Sequence, residues 1–260
     1  MDGIGSSWTA SKGLNVGPQG SGSIAISNGA TFASAGPYDV VGNYTGGSGA
    51  VTVDGKGSAW KSTADVTIGQ AGVGTVTVDD GADFDTTGGL LVGSSGGGVG
   101  TLKVQNGSTV TSGGTIFSSV GSLAGSQGTV TIDGPNSTWH VNQTLSVGGD
   151  GTGAVTVDQG TITASGADGA TATGLEVGGA QGGTGTLTVR NGGTFESAGA
   201  FDYIGRGEGS QGTVSVDGAG SLWESTGIVA IGAATGSQGT VAIGADAKHE
   251  PASRENALAS

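Results

Sequence analysis

The stretch VDDGADFD brings four carboxylates, Asp79, Asp80, Asp83 and Asp85, into one short run. Paired carboxylates can perform general acid–base work on glycosidic bonds. Clustered carboxylate oxygens also suit a hard cation such as calcium, which would relieve the repulsion between them. Of the two uses calcium is the better fit, and these four residues are the candidate ligands. The Gly-Gly-x-Gly-x-Asp-x-apolar-x repeat of calcium-binding β-rolls does not accompany them, and GGDGTGAV at 148–155 matches it only in part. Asp79 also belongs to a spaced series, Asp54, Asp79, Asp133, Asp158 and Asp217, whose members sit at equivalent points of a repeat. Turn chemistry therefore accounts for it without catalysis. Gln105 and Arg190 interrupt that series and lessen the repulsion without a metal.

Other reactive arrangements are weaker still. GEGSQG at 207–212 satisfies Gly-x-Gly-x-x-Gly but precedes a strand pattern, with no helix N-terminus to receive a phosphate. His140, beside Trp139, should face outward if Trp139 faces inward, and His249 is far along the chain. Two separated histidines make neither a metal site nor a triad. There is no cysteine, so disulfides, thiolate metal sites and cysteine nucleophiles are excluded. The expectation is a protein that is not an enzyme, with no catalytic residue and no cofactor-binding residue.

Composition narrows the partners. The chain has 260 residues, a formal charge of −13 and only eight Lys and Arg, scattered singly. It offers no basic stripe for counterion release, so nucleic acid is not an expected partner. No apolar stretch is long enough to span a membrane as a helix, and residues 1–20 lack the basic and apolar regions of a signal peptide. With 59 glycines and 5% aromatics, large side chains are too sparse for an ordinary globular core. Yet AVTVD, GTVTVDD and GTLKVQNG alternate apolar and polar residues with the period of a strand, which gives each strand one face to bury.

The elements that would position these residues come from a repeat. Segments of the form Gly-x-apolar-x-apolar begin at Gly22, Gly49, Gly74, Gly100, Gly128, Gly153, Gly185, Gly212 and Gly239, at spacings of 27, 25, 26, 28, 25, 32, 27 and 27. Such a period fits one solenoid turn of three short strands. The chain is expected to be all-β, a single parallel β-helix (β-solenoid) of about nine to ten turns spanning 1–246, roughly 45 Å long at about 4.8 Å per turn. Asn28-Gly29, Asp80-Gly81, Asn106-Gly107 and Asn191-Gly192 read as corners, because these residues tolerate positive φ. Trp8, Phe32, Trp60, Phe84, Val110, Trp139, Ile162, Phe195 and Trp223 recur at one position and should stack as an apolar ladder. SGADGATATG at 165–174 lengthens one repeat and should protrude, while GGTIFSS at 113–119 is a smaller irregularity. From 247 to 260 the pattern gives way to a polar tail, expected to cap the last turn as a short helix or to remain disordered. MDGIGSSW at the start matches the VDGKGSAW, IDGPNSTW and VDGAGSLW of later repeats, so the chain is expected to begin inside a turn.

Outward threonines, Thr52, Thr67, Thr75, Thr77, Thr131, Thr156 and Thr188, should form flat hydroxyl-rich faces. A solvated strand face accounts for them, since Thr is favoured on exposed strands. Ala25, Lys103 and Ala242 break the row, which argues against an ice-binding lattice.

The alternation of VDGAGSLWESTGIVAIG with LTVRNGGTFESAGAFDYIG resembles the type V secretion and PEP-CTERM associated repeat of autotransporter passenger domains. The resemblance covers nearly all of 2–244, and Asp-Gly-x-Gly-Ser-x-Trp is its most specific element, with Asn136 replacing the second Gly in one copy. It implies a right-handed β-helix displayed on, or released from, a Gram-negative cell surface. It also implies an adhesive or stalk role toward host or bacterial surface glycans or proteins, and an outer-membrane β-barrel translocator elsewhere in an intact protein. The alternatives are a polysaccharide lyase or hydrolase and a spacer with no ligand.

Overall fold

The computed structural model describes residues 1–114, 116–166 and 172–251. All regular structure among them is strand: 28 strands in three parallel sheets of ten, nine and nine. Each strand pairs with its counterparts one turn before and one turn after, giving a β-solenoid of about nine turns with three strands per turn. One sheet has mainly seven-residue strands such as Ser48–Asp54, the second four-residue strands such as Ala59–Ser62, and the third three- to five-residue strands such as Asp65–Ile68.

Repeat phase and sheet register coincide. In the long-strand sheet Gly22, Gly49, Gly74, Gly100, Gly128, Gly153, Gly185, Gly212 and Gly239 lie directly over one another. Steric exclusion fixes this row. A Cβ on Gly153 would run into the Val120 carbonyl oxygen of the previous turn. On the same strands Val51, Val53, Val76, Val78, Leu102 and Val104 point inward and are buried, while the residues between them face out. With Val66, Ile68, Leu90 and Val92 of the third sheet they form one continuous thin core.

The corners follow from residue type. Asn28, Asp80, Asn106 and Asn191 have φ of 55°, 53°, 53° and 55°, and each is followed by a glycine of positive φ. This is the double left-handed corner that Asx-Gly pairs accommodate. In the Trp-containing turns the second positive φ falls on Gly57 and Gly220, and Asn136, at φ 64°, takes the same conformation where glycine is absent. Asn tolerates that region because its short polar side chain can hydrogen-bond locally.

The end of the rod differs from expectation. Lys248–Pro251 is a strand, paired in parallel with Leu222–Ser225, so the second sheet continues into the segment read as a tail. Backbone pairing requires no apolar side chains, and a polar sequence conceals it. Residues 252–260 lie outside the described residues, as do 167–171, the central part of the lengthened repeat.

Candidate functional site

The corner acids are occupied with structural hydrogen bonds. Asp79 accepts from Gln105 Nε2 and Asn106 Nδ2 of the next turn, both at 2.8 Å, and from the Asp80 amide at 2.8 Å. Asp158 is held in the same way by Arg190 Nε at 2.8 Å and Asn191 Nδ2 at 2.9 Å, and Asp2 by Asn28 Nδ2 and Ser27 Oγ. These three carboxylates, Asp2, Asp79 and Asp158, each tie one turn to the next. Asp83 and Asp85 project from the following strand, Asp83–Thr86. Partial burial, and secondarily the charge of Asp85, raise the Asp83 carboxyl above its ordinary pKa, against the pull of Lys61. Among the described residues no three His, Cys, Asp or Glu side chains converge as a metal site. GEGSQG is a corner in which Ser210 Oγ donates to the Gly207 carbonyl at 2.7 Å. His140 pairs with Thr163 Oγ1 at 2.9 Å on the outer face of the second sheet.

The ladder residues lie in unbroken register from Trp8 through Phe32, Trp60, Phe84, Val110, Trp139, Ile162 and Phe195 to Trp223. All but Trp8 are buried; Trp8, on the first turn, is 43% exposed. The column extends one turn further to His249, whose ring lies 4.5 Å from that of Trp223. Two of the indoles carry a polar bond into the core, whereas Trp223 Nε1 is buried without a partner among the described residues. Trp60 Nε1 donates to Ser34 Oγ at 3.1 Å and Trp139 Nε1 to Ser112 Oγ at 2.9 Å, each a serine of the preceding turn.

Sequence reasoning missed two buried carboxylates. Asp39 and Asp202 are fully buried near the start of their own strands, Tyr38–Val41 and Phe201–Ile204, in the third sheet. Asp39 accepts from Ser34 Oγ of its own turn, from Ser62 Oγ of the next at 2.6 Å, and from the Leu14 amide of the previous turn at 2.6 Å. Asp202 repeats the arrangement with Ser197 Oγ, Ser225 Oγ at 2.6 Å and the Leu175 amide at 2.9 Å. Burial pushes the Asp202 carboxyl above the usual carboxylate range, opposed by these hydrogen bonds and by His249. The signal was present in the paired copies TFASAGPYDVVG and TFESAGAFDYIG, which place Ser five residues before Asp at an otherwise apolar inward position.

A concave feature of the rod is a trough on the outer face of the third sheet. Its central row runs Val40, Thr67, Leu91, Ser119, Ser146, Glu176 and Tyr203 in register. An outward strand row would ordinarily be solvated, and Thr67 was expected on an exposed hydroxyl face. Instead Val40, Thr67, Ser119 and Ser146 are buried. The strands here are three to five residues long, so the flanking corners lie close on both sides of the row. Where the row passes from Leu91 to Ser119 and Ser146 the floor drops into a cavity of about 570 Å³. One wall carries Phe117, Thr144 and Thr173; the other carries Ser122, Leu123 and Asp150, with Glu176 and Arg206 at one end. Arg206 Nη1 pairs with Glu176 Oε2 at 3.1 Å, and its guanidinium lies 4.8 Å from the centre of the Tyr203 ring, which itself stacks on Phe201. Ser122 Oγ and Asp150 Oδ1 are shielded from solvent and have no hydrogen-bond partner among the described residues.

No family model and no curated protein matches the chain. Among solved structures, the TibC-catalysed hyper-glycosylated TibA fragment, its residues 55–350, aligns at 17% identity over 94% of this chain and 100% of that one, with a TM-score of 0.17. Likeness at that level bears on neither mechanism nor ligand.

Proposed function

We propose that this chain is a surface-exposed or secreted β-helical passenger segment of the autotransporter kind, a non-catalytic rod that presents polar faces for contact with cells or glycans. The supporting observation is the continuity of the rod. Parallel pairing runs turn to turn through all three sheets, with one register shift between Thr173 and Leu175, and Asp79 and Asp158 each join one turn to the next. A structure stabilised by neighbouring turns can fold progressively, which suits export in an extended state. In an intact protein an outer-membrane β-barrel would supply the translocator. The test is attachment of the purified, folded chain to bacterial and host cells, with resistance to proteolysis measured alongside. A folded chain that binds no cell would overturn the adhesive role and leave a spacer.

The trough also gives the enzymatic alternative one observation, since Asp150, Glu176 and Arg206 line a single concave surface. A polysaccharide lyase or hydrolase would shorten its substrate in solution. Incubation with bacterial and plant polysaccharides, with and without calcium, followed by chain-length analysis, decides between the two. The Arg206–Glu176 pair favours the non-catalytic reading, because it engages one of the two acids.

A further inference from the structure

We infer that the trough over Ser119 and Ser146 is a binding site for a neutral oligosaccharide. The inference rests on the surface-rod reading above and assigns to it a single site and a ligand class. Shape comes first. Between Leu91 and Glu176 the row holds two consecutive serines, which leave a short slot across two turns about 4.8 Å apart. A cavity of about 570 Å³, lined by residues of successive turns from Ser119 and Ser146 to Glu176 and Arg206, has room for a short chain of sugar rings.

The lining has the mixed character such a ligand needs. Phe117 and Leu123 stand on opposite walls, 51% and 52% exposed, and offer apolar surface to the C–H faces of pyranose rings. Asp150 and Ser122, both half-buried, add a carboxylate and a hydroxyl to the wall that carries Leu123. A polyol supplies hydroxyl donors to a carboxylate oxygen at many positions, and a serine hydroxyl can donate or accept in return.

Charge and backbone exclude the competitors. Asp150 and Glu176 face one cation, Arg206, already committed to Glu176, so the trough disfavours sialylated or uronate-bearing glycans. The strands beneath are hydrogen-bonded to neighbours on both sides, which leaves no free sheet edge for an extended peptide to join. A polar floor of two serines and a glutamate is a poor seat for an acyl chain.

The test is a glycan array carrying neutral, sialylated and uronate-bearing oligosaccharides, probed with the wild-type chain and with Ser146→Leu, Phe117→Ala and Asp150→Asn. Ser146→Leu fills the slot with a residue that the same row already holds at Leu91, so the fold should survive, as checked by circular dichroism. Neutral glycans should bind the wild type, and Ser146→Leu and Phe117→Ala should each weaken binding at least tenfold, with a smaller loss for Asp150→Asn. The inference is overturned if the folded wild type binds no neutral glycan, prefers acidic ones, or binds equally well after Ser146→Leu. If cells are still bound by Ser146→Leu as by the wild type, this site falls while the surface-rod reading stands. If neither cells nor glycans are bound, the site and the adhesive role both fall and a spacer is left. Shortening of a trough-bound glycan would uphold the site and overturn the non-catalytic reading.

Discussion

Replacing Trp139 by Ala tests whether the ladder is the continuous core of the rod. The indole is fully buried, in register between Val110 and Ile162, and donates to Ser112 Oγ at 2.9 Å. Large-to-small changes of this kind cost about 3–5 kcal/mol, with the higher values where surrounding structure cannot collapse into the space. Here the neighbours above and below are held by backbone pairing, so the upper part of that range is expected. The lost hydrogen bond adds about 1 kcal/mol or less, because Ser112 Oγ keeps its 2.9 Å contact with Ser118 Oγ. Trp139→Phe places in the column a ring that it accepts at Phe32, Phe84 and Phe195, and should cost only about 1–2 kcal/mol. Trp8→Ala removes a side chain that is 43% exposed and has a single stacked neighbour, so about 1 kcal/mol is expected. Urea denaturation followed by far-ultraviolet circular dichroism gives all three values without depending on tryptophan emission. A loss for Trp139→Ala no larger than that for Trp8→Ala would refute the continuous core.

Two further outcomes concern the acids. The Asp202 carboxyl holds its proton more tightly folded than unfolded. Its contribution is therefore complete below the unfolded pKa near 4 and is lost as pH rises through the folded value, at no more than about 1.4 kcal/mol per pH unit. Asp202→Asn keeps an acceptor for Ser197 and Leu175 and offers a donor to Ser225, and should remove that share of the fall in urea midpoints from about pH 4 to about pH 8; identical pH profiles for wild type and variant would contradict the burial argument. Asp79→Ala breaks the links to Gln105 and Asn106 and should cost about 1–2 kcal/mol. Millimolar calcium, the working range of extracellular calcium modules, should leave both midpoints unmoved; a calcium-dependent rise lost in Asp79→Ala would place an ion at the cluster.

Most of the fold was legible because a solenoid repeats its inward constraints. Every turn must put a glycine where Gly49 and Gly153 sit and an apolar residue where Val51 and Val155 sit, so the period of these residues is the register itself. Corners were legible for the same reason: Asn28, Asp80, Asn106 and Asn191 answer one backbone requirement. Asp39 and Asp202 were not, since a carboxylate at an inward position reads as outward until its serines on two different turns are seen together. Lys248–Pro251 escaped because its backbone pairs while its side chains remain exposed. Thr67 was placed on an exposed face because alternation tells which side of a strand a residue occupies. It does not tell how close the flanking corners lie.

This asymmetry says where function should be sought in such a rod. Residues that satisfy the repeat are explained by it, and Asp79 and Asp158 are the clearest case: each is tied to an asparagine of the next turn, Asn106 and Asn191. A site must be built where the repeat is broken without destabilising the turn, which on a solenoid means an outward row. Ser119 and Ser146 are such a break, two consecutive small residues between Leu91 and Glu176. The inward column at those turns is uninterrupted through Val110, Trp139 and Ile162. Core stability and trough shape are therefore set by different residues of the same turns. Ser146→Leu should consequently change binding while leaving the urea midpoint near that of the wild type, and Trp139→Phe should do the reverse.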